Sequence, residues 1–214
     1  DNGNASFDNS GVLLNTQTSD AAFGGVDAIE AGEGNNIVLG GTAGDTITTL
    51  GGNDLVVGDN GKVTFDSTGG AGVIRDVIST DTSIGGADTI LAGEGNNIII
   101  GGAAGDTITA GGQNDIVMGD SGHGVFNAAG VLTFITTVSP DIGGIDTINT
   151  GDGLNIVLGG VGGDTINGGS GRDIVLGDNG NATFDNTGVL TLIQTSDAAT
   201  PGSYDDIING FGGD

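Results

Sequence analysis

An all-β fold of stacked repeats is the fold class that the sequence predicts, and three observations predict it. First, DNGNASFD at Asp1 returns as DNGKVTFD at Asp59, DSGHGVFN at Asp120 and DNGNATFD at Asp178. These starts lie 58, 61 and 58 residues apart, and self-similarity on this scale marks an array of stacked structural units. Second, a nine-residue period inside the first unit places Asp27, Asn36, Asp45 and Asp54 in series. The second unit repeats it at Asp88, Asn97, Asp106 and Asp115, the third at Asp146, Asn155, Asp164 and Asp173, and the fourth keeps Asp206 alone. Third, an aliphatic residue stands two positions after each of these, Ile29, Val38, Ile47 and Val56 in the first unit, with glycine-rich sequence before it.

The array divides into unit 1 at residues 1–58, unit 2 at 59–119, unit 3 at 120–177 and a truncated unit 4 at 178–214. The chain stops mid-pattern on NGFGGD and is read as a segment of a longer array. Of its 214 residues, 47 are glycine and 28 are acidic, against the three bases Lys62, Arg75 and Arg172, for a formal net charge of −25. Such a charge repels nucleic-acid phosphate and anionic lipid, so neither nucleic acid nor a membrane is an expected partner. No run of 18 apolar residues interrupts it, which argues against membrane insertion. Acidic, glycine-rich composition is also that of disorder, but 36% of the residues are apolar and they fall in regular short runs. With no Cys and one His, His123, no Cys/His or Ser/His/Asp set can be assembled, and no catalytic role is expected.

Each nonapeptide has two parts. The glycine-rich part must turn tightly, which glycine permits because it tolerates positive φ. The remainder, x-aliphatic-x, reads as a three-residue strand with its middle side chain pointing inward and its neighbours outward. GGSGRDIVL at Gly168–Leu176 fits G-G-x-G-x-D-x-U-x at every fixed position, and GGAAGDTIT and GGVGGDTIN come close. Twelve copies stand in register across three units. The pattern resembles the RTX, or hemolysin-type, calcium-binding nonapeptide repeat. That resemblance implies a parallel β-roll with two nonapeptides per coil. It also implies a large secreted bacterial protein, of the adhesin or matrix type.

Every unit leaves the nonapeptide pattern for 20 to 25 residues. NATFDNTGVLTLIQT at Asn181–Thr195 reads as a β-hairpin about a type I turn, with glycine supplying the left-handed residue. DNSG, DSTGG and NAAG hold the same place in the other units. The expected fold is therefore a β-roll with a hairpin looping out after every second coil.

In a roll, Asp45 lies one coil from Asp27, with coils ~4.8 Å apart. Carboxylates at that spacing repel, by roughly 0.8 kcal/mol in water and more inside a protein, so a ladder of them calls for cations between. Asp oxygens and glycine carbonyls are hard donors in flexible loops, which favours Ca²⁺ over softer metals and over Mg²⁺. The candidate ligands are the nine-residue series itself, together with Asp59, Asp120 and Asp178 of the recurring GD[NS]G motif. Glu33, Glu94 and Asp152 share one equivalent position and are further candidates, the alternative being solvated surface acids. Three ions per unit are expected: between the loops before Asp27 and Asp45, between the latter and Gly58–Gly61, and opposite, between Asn36 and Asp54.

The two sheets of the roll should differ. One shows DTIT-like strands with polar outward residues, the other NIVL-like strands whose outward positions include Ile37, Leu39, Leu55, Val57, Ile98, Ile100, Ile116 and Met118. An apolar face of that size is rarely left bare. Either the hairpins cover it, through Phe184, Leu190 and Leu192 and the equivalent Phe7, Phe65 and Phe126, or copies of the chain self-associate through it. The leading functional expectation is a calcium-stiffened fibre, stalk, adhesin or matrix segment, secreted or at the cell surface. The alternatives are a non-catalytic folding and secretion module of an exported enzyme or toxin, and an ice-binding solenoid using the Thr-rich sheet.

Overall fold

The computed structural model describes residues 1–66, 72–196 and 205–210. The chain opens with a hairpin, β1 (Gly3–Phe7) and β2 (Leu13–Thr18), followed by four short strands, β3 (Ala28–Glu33), β4 (Ile37–Leu39), β5 (Thr46–Gly51) and β6 (Leu55–Val57). The order then repeats. Hairpin β7 (Gly61–Phe65) and β8 (Ile74–Ser79) precedes β9 (Thr89–Leu91), β10 (Ile98–Gly102), β11 (Thr107–Thr109) and β12 (Ile116–Asp120). Hairpin β13 (Gly122–Phe126) and β14 (Leu132–Thr137) precedes β15 (Thr147–Asn149), β16 (Ile156–Leu158), β17 (Thr165–Gly169) and β18 (Ile174–Leu176). Hairpin β19 (Gly180–Phe184) and β20 (Leu190–Thr195) leads to β21 (Ile207–Gly210), and no helix occurs among the described residues.

The short strands form the parallel β-roll. Odd-numbered strands build a seven-stranded sheet in the order β21-β17-β15-β11-β9-β5-β3, and even-numbered ones a six-stranded sheet, β18-β16-β12-β10-β6-β4. Each nonapeptide aliphatic points between the sheets. Ile47, Val56, Ile90, Ile99, Ile108, Val117, Ile148, Val157 and Ile166 are fully buried there in one continuous core. On the outer face of the seven-stranded sheet, Thr46, Thr89, Thr107, Thr147 and Thr165 stack in register. The rank beside it is broken by Glu30 and by the exposed Leu91.

A hairpin leaves the roll after every second coil, as expected, and the hairpins do not stand apart from one another. They pair edge to edge into a third, eight-stranded antiparallel sheet, β1-β2-β7-β8-β13-β14-β19-β20. The physical reason is a match of spacings. Every unit adds two strands to each of the three sheets, and strands in any sheet lie ~4.8 Å apart. A hairpin is therefore as wide as two coils are tall, and successive hairpins meet at hydrogen-bonding distance.

This third sheet covers the apolar face of the roll. Val57, Ile100, Met118 and Leu158 from below and Val63, Val77, Ile135 and Ala182 from above have no exposed surface, and together they make a second core. The surface considered for self-association is thus buried within the chain, except at its ends, where Ile37 and Ile174 are about one-third exposed (37% and 36%). Phe65, Phe126 and Phe184 are buried as expected, whereas Phe7 is 59% exposed because it lies on the edge strand β1.

Three of the turns are as read. Asp8, Asn127 and Asp185 each accept two backbone N–H groups on Oδ1, and Gly11, Gly130 and Gly188 take positive φ. DSTGG lies largely outside the described residues. The strand beyond the turn corrects one expectation. Phe184 pairs with Leu190 but Thr183 with Leu192, so Thr191 is the extra residue of a β-bulge. The bulge reverses the facing of the residues after it. Leu190 and Ile193 pack on the core, and Leu192 is 49% exposed. His123 sits on β13 with Nε2 2.8 Å from Asp76 Oδ2.

Candidate metal sites

The turns between roll strands place the ladder residues. Two positions before nine of them the backbone has positive φ, among these 102° at Gly34, 127° at Gly52 and 139° at Gly95, but also 80° at Ala43, 69° at Ala104 and 79° at Gln113; Gly25, Gly86 and Gly144, which precede the first ladder residue of each unit after a hairpin, do not share it. Residues with a Cβ are strained at positive φ by ~1–2 kcal/mol, against ~0.5–1 kcal/mol of extra chain entropy for glycine. Ala104→Gly is therefore expected to raise stability by up to ~1 kcal/mol in calcium, read from denaturant melts; a loss would contradict the strain.

On one flank of the roll the turns bring seven aspartates into a single column. The backbone N–H of Asp27 donates to Asp45 Oδ1 at 2.7 Å, that of Asp45 to Asp88 at 2.6 Å, and that of Asp88 to Asp106 at 2.8 Å. The series continues from Asp106 to Asp146 at 2.8 Å, Asp146 to Asp164 at 2.9 Å and Asp164 to Asp206 at 2.9 Å. Sequence neighbours in this column are 18 residues apart within a unit and 40 to 43 across a hairpin. The other flank carries a second column, Asn36, Asp54, Asn97, Asp115, Asn155, Asp173, joined the same way at 2.7 to 3.1 Å. The nine-residue series is thus sorted into an all-Asp column and a column in which Asn and Asp alternate.

The second carboxylate oxygen is the unusual feature. Oδ2 of Asp45, Asp88, Asp106, Asp146 and Asp164 in the first column, and of Asp54 and Asp115 in the second, is buried with no hydrogen-bond partner. Buried acceptors are almost always satisfied, and an ionised one left alone is costly. On the all-Asp flank these oxygens face backbone carbonyls. A methyl group placed on Gly40 would lie within 3 Å of both Asp45 Oδ2 and the Gly58 carbonyl oxygen. The same holds at Gly58 for Asp88 and Gly101, at Gly101 for Asp106 and Gly119, and at Gly119 for Asp146 and Gly159. Two oxygens thus flank one small space at each of these turns of the all-Asp flank, on the scale of a Ca²⁺–oxygen distance, ~2.3–2.6 Å.

Asp59 and Asp120 are placed differently. Asp59 accepts N–H groups from Gly86 at 2.9 Å and Ala103 at 2.5 Å, and Asp120 from Gly144 at 2.9 Å and Val161 at 2.5 Å. Both oxygens of each therefore tie a hairpin root to the next coils. Asp1 does the same for Gly25 and Thr42, and its amine donates to Asp27 Oδ2. Asp27, Asp173, Asp178 and Asp206 are only half-buried. Glu33, Glu94 and Asp152 are exposed, and Asp152 accepts hydrogen bonds from Ser170 that hold its carboxyl below the usual range.

One set of residues escaped the sequence reading. Asn35, Asn53, Asn96 and Asn114 stack as a third column, each Oδ1 accepting the backbone N–H of the next coil at 2.8 to 3.1 Å, ending at Leu154. The Asn-Asn and Asn-Asp pairs at 35–36, 53–54, 96–97 and 114–115 were the signal.

Burial pushes the ladder carboxyls far above their ordinary value of 3.8: Asp106 to about 10, Asp146 to about 9, Asp88 to about 8, Asp115 to about 7 and Asp164 to about 6. The amide on Oδ1 works against this in each case, and neighbouring acids add to it, Asp146 and Asp88 acting on Asp106. Burial likewise lifts Asp59 to about 7 and Asp120 to about 8. Carboxyls so placed must either take up protons or meet a cation.

The residues fit a hard divalent cation. Their donors are all oxygen, their unpartnered atoms are buried, and carbonyls stand opposite. No three acidic, His or Cys side chains among the described residues converge, so a bound ion takes its remaining ligands from the backbone. Fold and site together define a parallel β-roll protein with cation-binding turns. The family model for the RTX calcium-binding nonapeptide repeat (4 copies) matches residues 30–64, 83–117, 92–126, 143–166 and 149–184, together more than half of the chain, and the chain belongs to that family. It is a calcium-binding repeat segment, of a structural and generally non-catalytic family whose members are typically secreted. No curated protein and no solved structure gives a significant match.

Proposed function

We propose that this chain is a load-bearing, calcium-stiffened segment of an extracellular stalk, fibre or adhesin. Calcium is held at the turns by Asp45, Asp88, Asp106, Asp146 and Asp164 on one flank and by Asp54 and Asp115 on the other, with glycine-turn carbonyls completing the shell. That is about three ions per unit of hairpin plus two coils, the number of buried Oδ2 atoms in the second unit, Asp88, Asp106 and Asp115. When bound, the ions supply the positive charge that the chain lacks. Asp59 and Asp120 pin each unit to the next. A chain exported through a low-calcium cytosol stays unfolded and folds on meeting calcium outside.

The observation that supports the load-bearing reading is the continuity of three sheets through every described unit. Each further unit lengthens all three by two strands, ~10 Å, with no change of register. Pulling the chain by its ends in a force spectrometer tests it. In calcium, the expected trace has discrete unfolding events, each releasing about one unit of contour, ~200 Å at ~3.4 Å per residue. Smooth extension without events in saturating calcium would rule the reading out.

A further inference from the structure

We propose that the side-chain amides of Asn97 and Asn155, and of Asn36 at the sheet edge, stand in the place of a cation, so that every second turn of the mixed flank closes without calcium. The inference rests on the calcium reading above. These asparagines occupy the same column as Asp54, Asp115 and Asp173 and use one atom in the same way. Asn97 Oδ1 accepts the backbone N–H of Asp54 at 2.9 Å, and Asn155 Oδ1 accepts that of Asp115 at 2.9 Å. A backbone N–H can donate only to the oxygen, which fixes the orientation of both amides.

The other atom distinguishes them. In Asp88, Asp106, Asp146 and Asp164 it is an acceptor, buried and unpartnered. Asp88 and Asp106 each face the carbonyl five residues before a ladder position or its equivalent on the adjoining coil, that of Gly101 for Asp88 and of Gly119 for Asp106. In Asn97 and Asn155 it is a donor. Asn97 Nδ2 lies 3.0 Å from the Ala110 carbonyl and 3.3 Å from that of Gly93, and Asn155 Nδ2 3.4 Å from Gly168 and 3.2 Å from Gly151. Ala110 and Gly168 stand five residues before Asp115 and Asp173, the corresponding place on the next coil. At Asn36 the amide reaches Gly32 at 3.1 Å, Gly34 at 2.7 Å and Asp54 Oδ1 at 3.1 Å. The carbonyls that would face an ion face N–H groups instead, and an amide nitrogen is no ligand for a hard cation.

Four ladder turns per unit thus divide into three carboxylates and one amide. The all-Asp flank depends on calcium at the turns of Asp45, Asp88, Asp106, Asp146 and Asp164. The mixed flank keeps alternate turns joined by hydrogen bonds when calcium falls, a seam that holds adjacent coils in register for rebinding.

Counting bound calcium by equilibrium dialysis tests this on the whole chain, with circular dichroism reporting the fold. Asn97→Asp replaces the donor by an acceptor and is expected to bind one more ion than the wild type. Asn97→Ala is expected to bind the same number as the wild type but to melt several degrees lower in saturating calcium, since the Ala110 and Gly93 carbonyls lose their donor. An unchanged count for a folded Asn97→Asp, or an unchanged Tm for Asn97→Ala, would overturn the proposal while leaving the calcium reading intact. A wild type that binds no calcium would overturn both. If Asn97→Asp fails to fold in calcium, Asn155→Asp and the alanine variant decide by the same criteria.

Discussion

Chelating calcium at pH 7 is expected to abolish most of the β-structure, and returning calcium to restore it over a narrow concentration range. Asp88, Asp106, Asp120 and Asp146 sit at about 8, 10, 8 and 9 in the metal-free fold, against 3.8 for a free carboxyl. At pH 7 each must take up a proton on folding, at a cost on the order of 4 kcal/mol from ~1.4 kcal/mol per pH unit. Four such groups together equal or exceed the ~5–15 kcal/mol by which domains are stable. The pH dependence has a definite sign. Folded pKa values above the unfolded one mean that the metal-free fold binds more protons than the unfolded chain. Its stability is therefore fully present below about pH 4 and falls as pH rises through the folded values of about 6 to 10. In chelator, circular dichroism should show more β-structure at pH 4 than at pH 7. In calcium the trend should reverse, because the ion needs the ionised carboxylates. Mg²⁺ should substitute poorly, since it demands a tighter octahedral shell. A full β spectrum in chelator at pH 7 would refute the account of the buried carboxylates.

Ile135→Ala is expected to cost ~2–5 kcal/mol in saturating calcium, whereas Leu192→Ala should change stability by less than ~0.5 kcal/mol. Both are hairpin residues in similar sequence surroundings. Ile135 has no exposed surface and lies between the hairpin sheet and the six-stranded sheet, in contact with the core that holds Met118 and Leu158. Leu192 is turned outward by the bulge at Thr191. Denaturant midpoints of the two variants, with unchanged calcium counts, separate a structural third sheet from a loose decoration. Equal small effects would mean that the hairpins add nothing to the roll. Equal large ones would mean that the bulge is misplaced.

The periodic part of this protein was legible because local chemistry wrote it. The turn two residues before most ladder positions takes positive φ, and glycine holds six of those nine places; a strand one side chain thick needs one aliphatic, so Ile and Val recur at a fixed offset. Those local requirements determined the roll, its inward residues, its polar and apolar faces, and the aspartates that its turns collect. Three things were decided only in the tertiary structure. Hairpin joined hairpin because two coils and one hairpin have the same height, a relation between layers that no stretch of sequence contains. Leu192 and Ile193 exchanged faces because an unpaired residue shifted the alternation, and a bulge depends on the partner strand. The column membership of Asp45 and Asp88, 43 residues apart and separated by a hairpin, set which acids share a buried flank and which alternate with asparagine. The identity of each acid lies in the sequence, but its burial, its unpartnered oxygen and hence its need for a cation arise only when coils from different units close over it.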